Sequence, residues 1–139
     1  MPRVWMPGGV ATELQLVGED TGGAFCLMID EPPAGWSLAA HRHATEAETI
    51  HILAGEFMMD VDGRRVALSP GETIHIPQGV PHAGANAGPA AGRRLVLFSP
   101  AGIERFFLEV GQPSPDDEPD LAAVIECATR YGWRFLGGS

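Results

Sequence analysis

Basic residues are scarce in this chain: nine Lys plus Arg stand against eighteen Asp plus Glu in 139 residues, for a formal net charge of −9. Four of the nine cations fall in two pairs, Arg64-Arg65 and Arg93-Arg94. No basic stripe follows a phosphate backbone, which argues against a nucleic-acid partner. Cysteine is scarcer still. Cys26 and Cys127 stand far apart without CxxC or zinc-ribbon spacing, so the expectation is two reduced thiols acting as small buried hydrophobes in a cytoplasmic protein. No window reaches the roughly 18 apolar residues of a membrane span. The N-terminal MPRVWMPGGVATELQL has neither an apolar h-region nor a small-residue cleavage site, so the chain is expected to be soluble, unexported and without a membrane partner.

What the chain has is punctuation. Eighteen Gly and twelve Pro separate apolar runs in a sequence that is 45% hydrophobic, a turn-rich β pattern rather than disorder. Ala11 to Val17 and Ala24 to Asp30 read as an antiparallel pair joined by the turn cluster GEDTGG. Strands follow at Trp36 to His43 and Glu48 to Ala54. Phe57, Met59 and Val61 lead into Asp62-Gly63, a hairpin signal, with Val66 and Leu68 on the return strand. Thr73 to Pro77 is a strand, Gln78 to Ala91 a loop, and Leu95 to Phe98 a buried last strand.

The period changes at Ser99. With Ser99 as cap and Pro100 at the first helical position, Ile103, Phe106, Phe107 and Val110 make a helical stripe. After the acidic, proline-rich link QPSPDDEP, a second helix from about Asp120 to Arg130 is expected to bury Leu121, Val124, Ile125 and Ala128. Trp133 to Leu136 is an apolar tail able to dock. The organisation read from this pattern is one domain, residues 1–139, all-β, with a barrel or sandwich over about 10–99 and a helical extension over about 100–139.

Three good metal ligands stand close together in GWSLAAHRHATEAETIHILAG, residues 35–55. In a strand, residues two apart share a face, so His41 and His43 can address one point, and Glu48 can join them if residues 44–47 connect two strands. The candidate fourth ligand is His82, presented by a turn that Pro77 and Gly79 can force.

These two segments resemble the motifs of the cupin superfamily, small single-domain bacterial cupins in particular. In the first, Gly35 is followed after five residues by His41-Arg42-His43, after four more by Glu48 and after six more by Gly55. In the second, Gly71 is followed after five by Pro77, then by Gly79, His82 and Asn86. The resemblance implies a jelly-roll β-barrel with one divalent transition metal, Fe, Mn, Ni, Co, Cu or Zn, held by His41, His43, Glu48 and His82. Three imidazoles and a carboxylate leave coordination positions open on such an ion, and the lack of thiolate argues against structural zinc.

The resemblance also implies a quercetin dioxygenase-like enzyme acting on a small oxygen-bearing substrate, with Glu48 as both ligand and proton acceptor. The alternatives are Lewis-acid isomerase or lyase chemistry, and a cupin that binds a small ligand without turnover. A homodimer through a sheet edge near the N-terminal strand is a further expectation.

Other residues are expected in plainer roles. His51 points to the opposite face from Glu48; His75 is either a barrel-wall residue or a donor supporting a ligand. Glu46 is expected to be solvated and Arg42 to lie on the surface. Trp36, Phe57, Met59 and Phe98 are read as core ahead of cavity lining, and Phe106 and Phe107 as core ahead of a lid.

Overall fold

Short strands bounded by glycine and proline turns carry most of the chain, and the computed structural model describes residues 2–136. In order the elements are β1 (Arg3–Met6), β2 (Val10–Leu16), α1 (Gly18–Thr21), β3 (Cys26–Glu31), β4 (Ser37–His43), β5 (Ala47–Ala54), β6 (Phe57–Val61) and β7 (Arg64–Leu68). They continue with β8 (Thr73–Ile76), β9 (His82–Asn86), β10 (Arg93–Ser99), α2 (Glu104–Val110), α3 (Leu121–Arg130) and β11 (Trp133–Phe135). Residues 1 and 137–139, the ends of the unit expected from the sequence, lie outside the described residues.

The strands form two antiparallel sheets, β1-β2-β3-β10-β5-β8 and β11-β4-β9-β6-β7. The architecture is all-β, a jelly-roll barrel of two facing sheets with a short helical part near the C-terminus. Alternation decides what fills it. On β5, Glu48, Ile50 and Ile52 point inward; on β10, Arg94, Val96 and Phe98; on β3, Cys26, Met28 and Asp30. The facing sheet contributes His41, His43, Phe57, Met59 and His82. Each fully buried apolar side chain contributes about 1.5–3 kcal/mol. The charged groups among them are tolerated only where they are paired.

Two glycines of the motifs have steric reasons to be there. Gly55 has φ 91°, and a Cβ on it would lie 2.9 Å from Gly92 Cα. Gly79, at φ 78°, turns the chain before His82 and donates its N–H to His43 O at 3.0 Å, fixing the second motif against the first. Asn86 ends β9 as a staple: its Nδ2 donates to the carbonyls of Pro32, Pro33 and Ala90 at 3.1, 3.1 and 2.9 Å.

Several expectations give way. The loop expected over Gln78–Ala91 contains β9, whose HAGAN sequence has no β-branched residue and forms a strand because β4 and β6 pair with it on both sides. The first helix starts at Glu104, not after Ser99. Ser99 ends β10 and its hydroxyl donates to Ala24 O at 2.9 Å, leaving no cap for a helix at Pro100. α3 has the expected span, capped by Asp120 Oδ1 accepting from Ala123 N at 3.2 Å. Yet Leu121 and Ile125 are 59% and 54% exposed, because only the Cys127–Ala128 side of the helix is fully buried. The apolar tail is β11, an edge strand paired with β4.

Candidate metal centre

His41 and His43 leave β4 toward the interior, two residues apart, as alternation requires. His82, first residue of β9, pairs with His41 across the sheet, and Glu48 enters from β5 of the facing sheet. Nitrogen atoms of the three imidazoles lie within 4.8 Å of one another. Glu48 Oε1 lies 3.1 Å from His82 Nε2 and 3.4 Å from His43 Nε2. All four side chains are buried, so the structure brings together the four residues that the sequence singled out.

Backbone carbonyls orient two of the rings. His41 Nδ1 donates to Ala39 O at 2.8 Å and His82 Nδ1 to Val80 O at 3.0 Å. With its Nδ1 proton so used, a neutral ring presents a bare Nε2 lone pair to the centre. His82 Nε2 then faces the Glu48 carboxylate, acceptor to acceptor, at 3.1 Å. Only a positive charge makes that contact favourable. A proton can supply it: although burial opposes a charged ring, the hydrogen bond and charge of Glu48 hold His82 above its usual value. Glu48 answers in kind, since burial would push it up but the imidazoles of His43 and His82 hold it well below the usual carboxylate range. His41, desolvated and beside His82, falls to about 4 and so stays neutral.

A divalent ion can supply the same charge. Donors about 2.0–2.2 Å from an ion stand about 2.8–3.6 Å apart at cis-octahedral or tetrahedral angles, a range that holds the 3.1 and 3.4 Å between Glu48 and its two imidazole neighbours. Both nitrogens of His43 are buried without a hydrogen-bond partner among the described residues, which a metal on Nε2 would relieve in part. The donor set therefore fits a transition-metal ion.

The surroundings hold surprises. Trp133 stacks on His41 with ring centroids 4.9 Å apart and meets His43 edge-on at 4.6 Å, making β11 a wall of the centre. The signal was present in the sequence as the alternating Trp133 and Phe135, but nothing local told which strand they would join. Glu46 is 6% exposed, not solvated, because the 44–47 connection is pinned under β11 by Ala44 N donating to Gly132 O at 2.8 Å. Burial raises its affinity for a proton, and its Oε1 is without a partner among the described residues. Arg42 is exposed. His51 and His75 stay outside the cluster, sharing hydrogen bonds with Thr73 and Thr49 at 2.7 and 2.9 Å.

The four residues open into a cavity of about 260 Å³, walled largely by apolar side chains that include Trp36, Met59 and Phe98. Those three therefore line the cavity, and so do Phe106 and Phe107, while Phe57 is buried core. The exposed Leu121 and Ile125 of α3 and Phe135 of β11 border the same space. Among the described residues no helix is long and apolar enough to cross a membrane.

Comparison with known proteins agrees with this geometry. A quercetin 2,3-dioxygenase of Bacillus subtilis (strain 168) is 28% identical over 95 residues, 68% of this chain but 28% of that enzyme, so the chain spans little more than a quarter of this relative's length. An uncharacterized protein of Methanocaldococcus jannaschii is 36% identical over 87 residues, 63% of this chain and 70% of the other. The solved structure of KdgF from Halomonas sp. superposes with a TM-score of 0.67 at 17% identity, over 76% of this chain and 91% of that one, a likeness of fold. The Cupin domain family matches residues 28–98, just over half of the chain, from the inward Met28 to the inward Phe98 and across both ligand motifs. With two facing sheets and three histidines gathered at their inner face, the chain belongs to the cupin superfamily.

Proposed function

We propose that the protein is a metal-dependent, dioxygenase-like oxidoreductase acting on a small oxygen-bearing organic molecule. One observation carries the reading: His82 Nε2 and Glu48 Oε1 face each other at 3.1 Å, with the other ring nitrogen of His82 already used, on the wall of a largely apolar cavity. His41, His43, Glu48 and His82 would hold the ion. When bound, a redox-active divalent metal supplies Lewis acidity toward a substrate oxygen and an open position for dioxygen.

The chain's own residues do the rest. Ala39 and Val80 fix the tautomers of His41 and His82. Glu48, the one carboxylate among the four, stands where it can receive a proton from an acidic hydroxyl or enol. Trp133, Phe98 and Phe106 keep bulk water away from the reacting atoms. The quercetin 2,3-dioxygenase relative supports an oxidative reading over Lewis-acid isomerase or lyase chemistry.

Elemental analysis of purified protein, followed by oxygen-electrode measurements on the loaded form with a panel of flavonols and enolic diketones, tests this. The expected result is about one metal ion per chain and substrate-dependent oxygen uptake. Turnover under strict anaerobiosis would rule out the dioxygenase reading, and a protein that takes up no metal would rule out the centre.

A further inference from the structure

Asp30 and Arg94 stand opposite each other on β3 and β10, both pointing inward, and neither belongs to the four-residue centre. Arg94 Nε donates to Asp30 Oδ1 at 2.9 Å and Nη2 to Oδ2 at 2.7 Å, a bidentate fork. Its guanidinium also lies 4.9 Å from the ring of Trp36 and 5.4 Å from that of Phe57. Nη1 has no acceptor among the described residues. Both members of the pair line the cavity onto which His41, His43, Glu48 and His82 open.

A buried ion pair often contributes no more stability than apolar residues of the same volume. In a wall made otherwise of side chains such as Val10, Met28, Met59 and Val96, this one calls for a use. Its position offers one. Along β5, Arg94 pairs with Ile52 and Phe98 with Glu48, so the pair and the centre are four residues apart, about 13 Å at a rise of about 3.3 Å per residue.

The unused donor selects the ligand. Nη1 carries N–H groups of a charged guanidinium with no acceptor among the described residues, on a residue that lines a largely apolar cavity. An anionic oxygen satisfies such donors better than a neutral one, because hydrogen bonds between ionised groups are roughly twice as strong.

Resting on the metal centre proposed above, we propose that the cavity takes a monoanionic, otherwise apolar small molecule of the aryl or short-chain carboxylate class, whose anionic end is received by Arg94 as oriented by Asp30 and Trp36. The apolar body lies against Met28, Met59 and Val96 and points an oxygen toward the centre. Arg94 is thus a specificity-determining residue: it accepts a carboxylate through the free N–H groups of Nη1 and discriminates against the isosteric amide, whose NH₂ would meet N–H.

The test is binding calorimetry with a panel of aromatic and aliphatic monocarboxylates of six to twelve carbons and their primary amides, on metal-loaded and metal-free protein. At least one acid is expected to bind ~10-fold or more tightly than its amide to the loaded protein, and to keep part of that preference in the metal-free form. In the Asp30→Asn/Arg94→Gln double variant, a neutral pair of similar shape, the preference is expected to fall below ~3-fold while metal content is unchanged.

If the double variant does not fold, Arg94→Lys keeps the charge opposite Asp30 but loses the planar fork, and the acid should weaken ~10-fold while the amide does not. No acid bound ahead of its amide, or a preference that survives either substitution, overturns the proposal. A chain that takes up no metal yet keeps the preference refutes the centre and not Arg94; full metal without the preference does the reverse.

Discussion

Replacing His82 by alanine separates the two kinds of charge that the centre can hold. Protein sites for a structural divalent ion bind with about 10–16 kcal/mol, so one of four donors accounts for ~3–4 kcal/mol, or ~10²–10³-fold in Kd. The metal-free protein also suffers. His82 is buried, and without it Glu48 keeps only the His43 imidazole, at 3.4 Å, as a close partner. A buried carboxylate that loses a hydrogen-bond donor costs ~1–3 kcal/mol, equivalent to a fall in Tm of ~3–12 °C for a chain of this length.

Thermal denaturation with and without added metal reads both terms. At a free metal concentration ~1,000 times its Kd, the wild type gains ~4 kcal/mol. At the same concentration His82→Ala, bound ~10²–10³-fold more weakly, gains at most ~1.4 kcal/mol. Elemental analysis after gel filtration should find metal in the wild type and almost none in the variant. A variant with wild-type metal content and a wild-type metal-induced rise in Tm would show that His82 is not a ligand.

Three further outcomes follow from other parts of the molecule. Trp133→Ala should cost ~3–5 kcal/mol in urea denaturation, whereas Trp133→Phe, which keeps a ring against His41 and removes an orphaned buried N–H, should change stability by less than ~1.5 kcal/mol; equal losses would refute the stacking role. Gly55→Ala should destabilise by ~1–3 kcal/mol because of its positive φ and the approach of Gly92; an unchanged urea midpoint would contradict that contact. Burial and the nearby Glu104 carboxylate push the Cys26 thiol up from its usual 9.0 to about 12. From pH 9 toward 12 the unfolded chain loses a proton that the native state keeps, so stability should fall with rising pH by up to ~1.4 kcal/mol per unit. A Cys26→Ala variant should lack this part of the slope, and an identical slope in both proteins would refute it.

The two ligand motifs were legible in the sequence because their chemistry depends on residue type and on the two-residue period of a strand. Hairpin β6–β7 was legible for a similar local reason, the positive φ of Asp62 and Gly63. What escaped was set by partners distant in sequence. HAGAN is a strand only because β4 and β6 flank it. Glu46 is buried on a connection tied to Gly132, at the far end of the chain. Arg94 shares the inward face of Val96 and Phe98, and Asp30 opposite it on β3 is the partner that lets it be buried there. An Arg-Arg pair in the sequence carries no mark of that partner. On α3 the apolar stripe was read correctly as a pattern and wrongly as burial, since the periodicity of Leu121 and Ile125 shows that they share a face without showing what covers it.

The place of β11 has a consequence for how the protein is made and handled. All four candidate ligands have been synthesised by residue 82, while Trp133, which stacks on His41 and edges against His43, leaves the ribosome about fifty residues later. At ~5–20 residues per second that is an interval of seconds, during which the ligands can gather with one side of the centre open to metal from solution. An affinity tag, protease site or truncation placed just after Phe135 is therefore no remote change, because it loads the edge strand that packs on the candidate ligands His41 and His43.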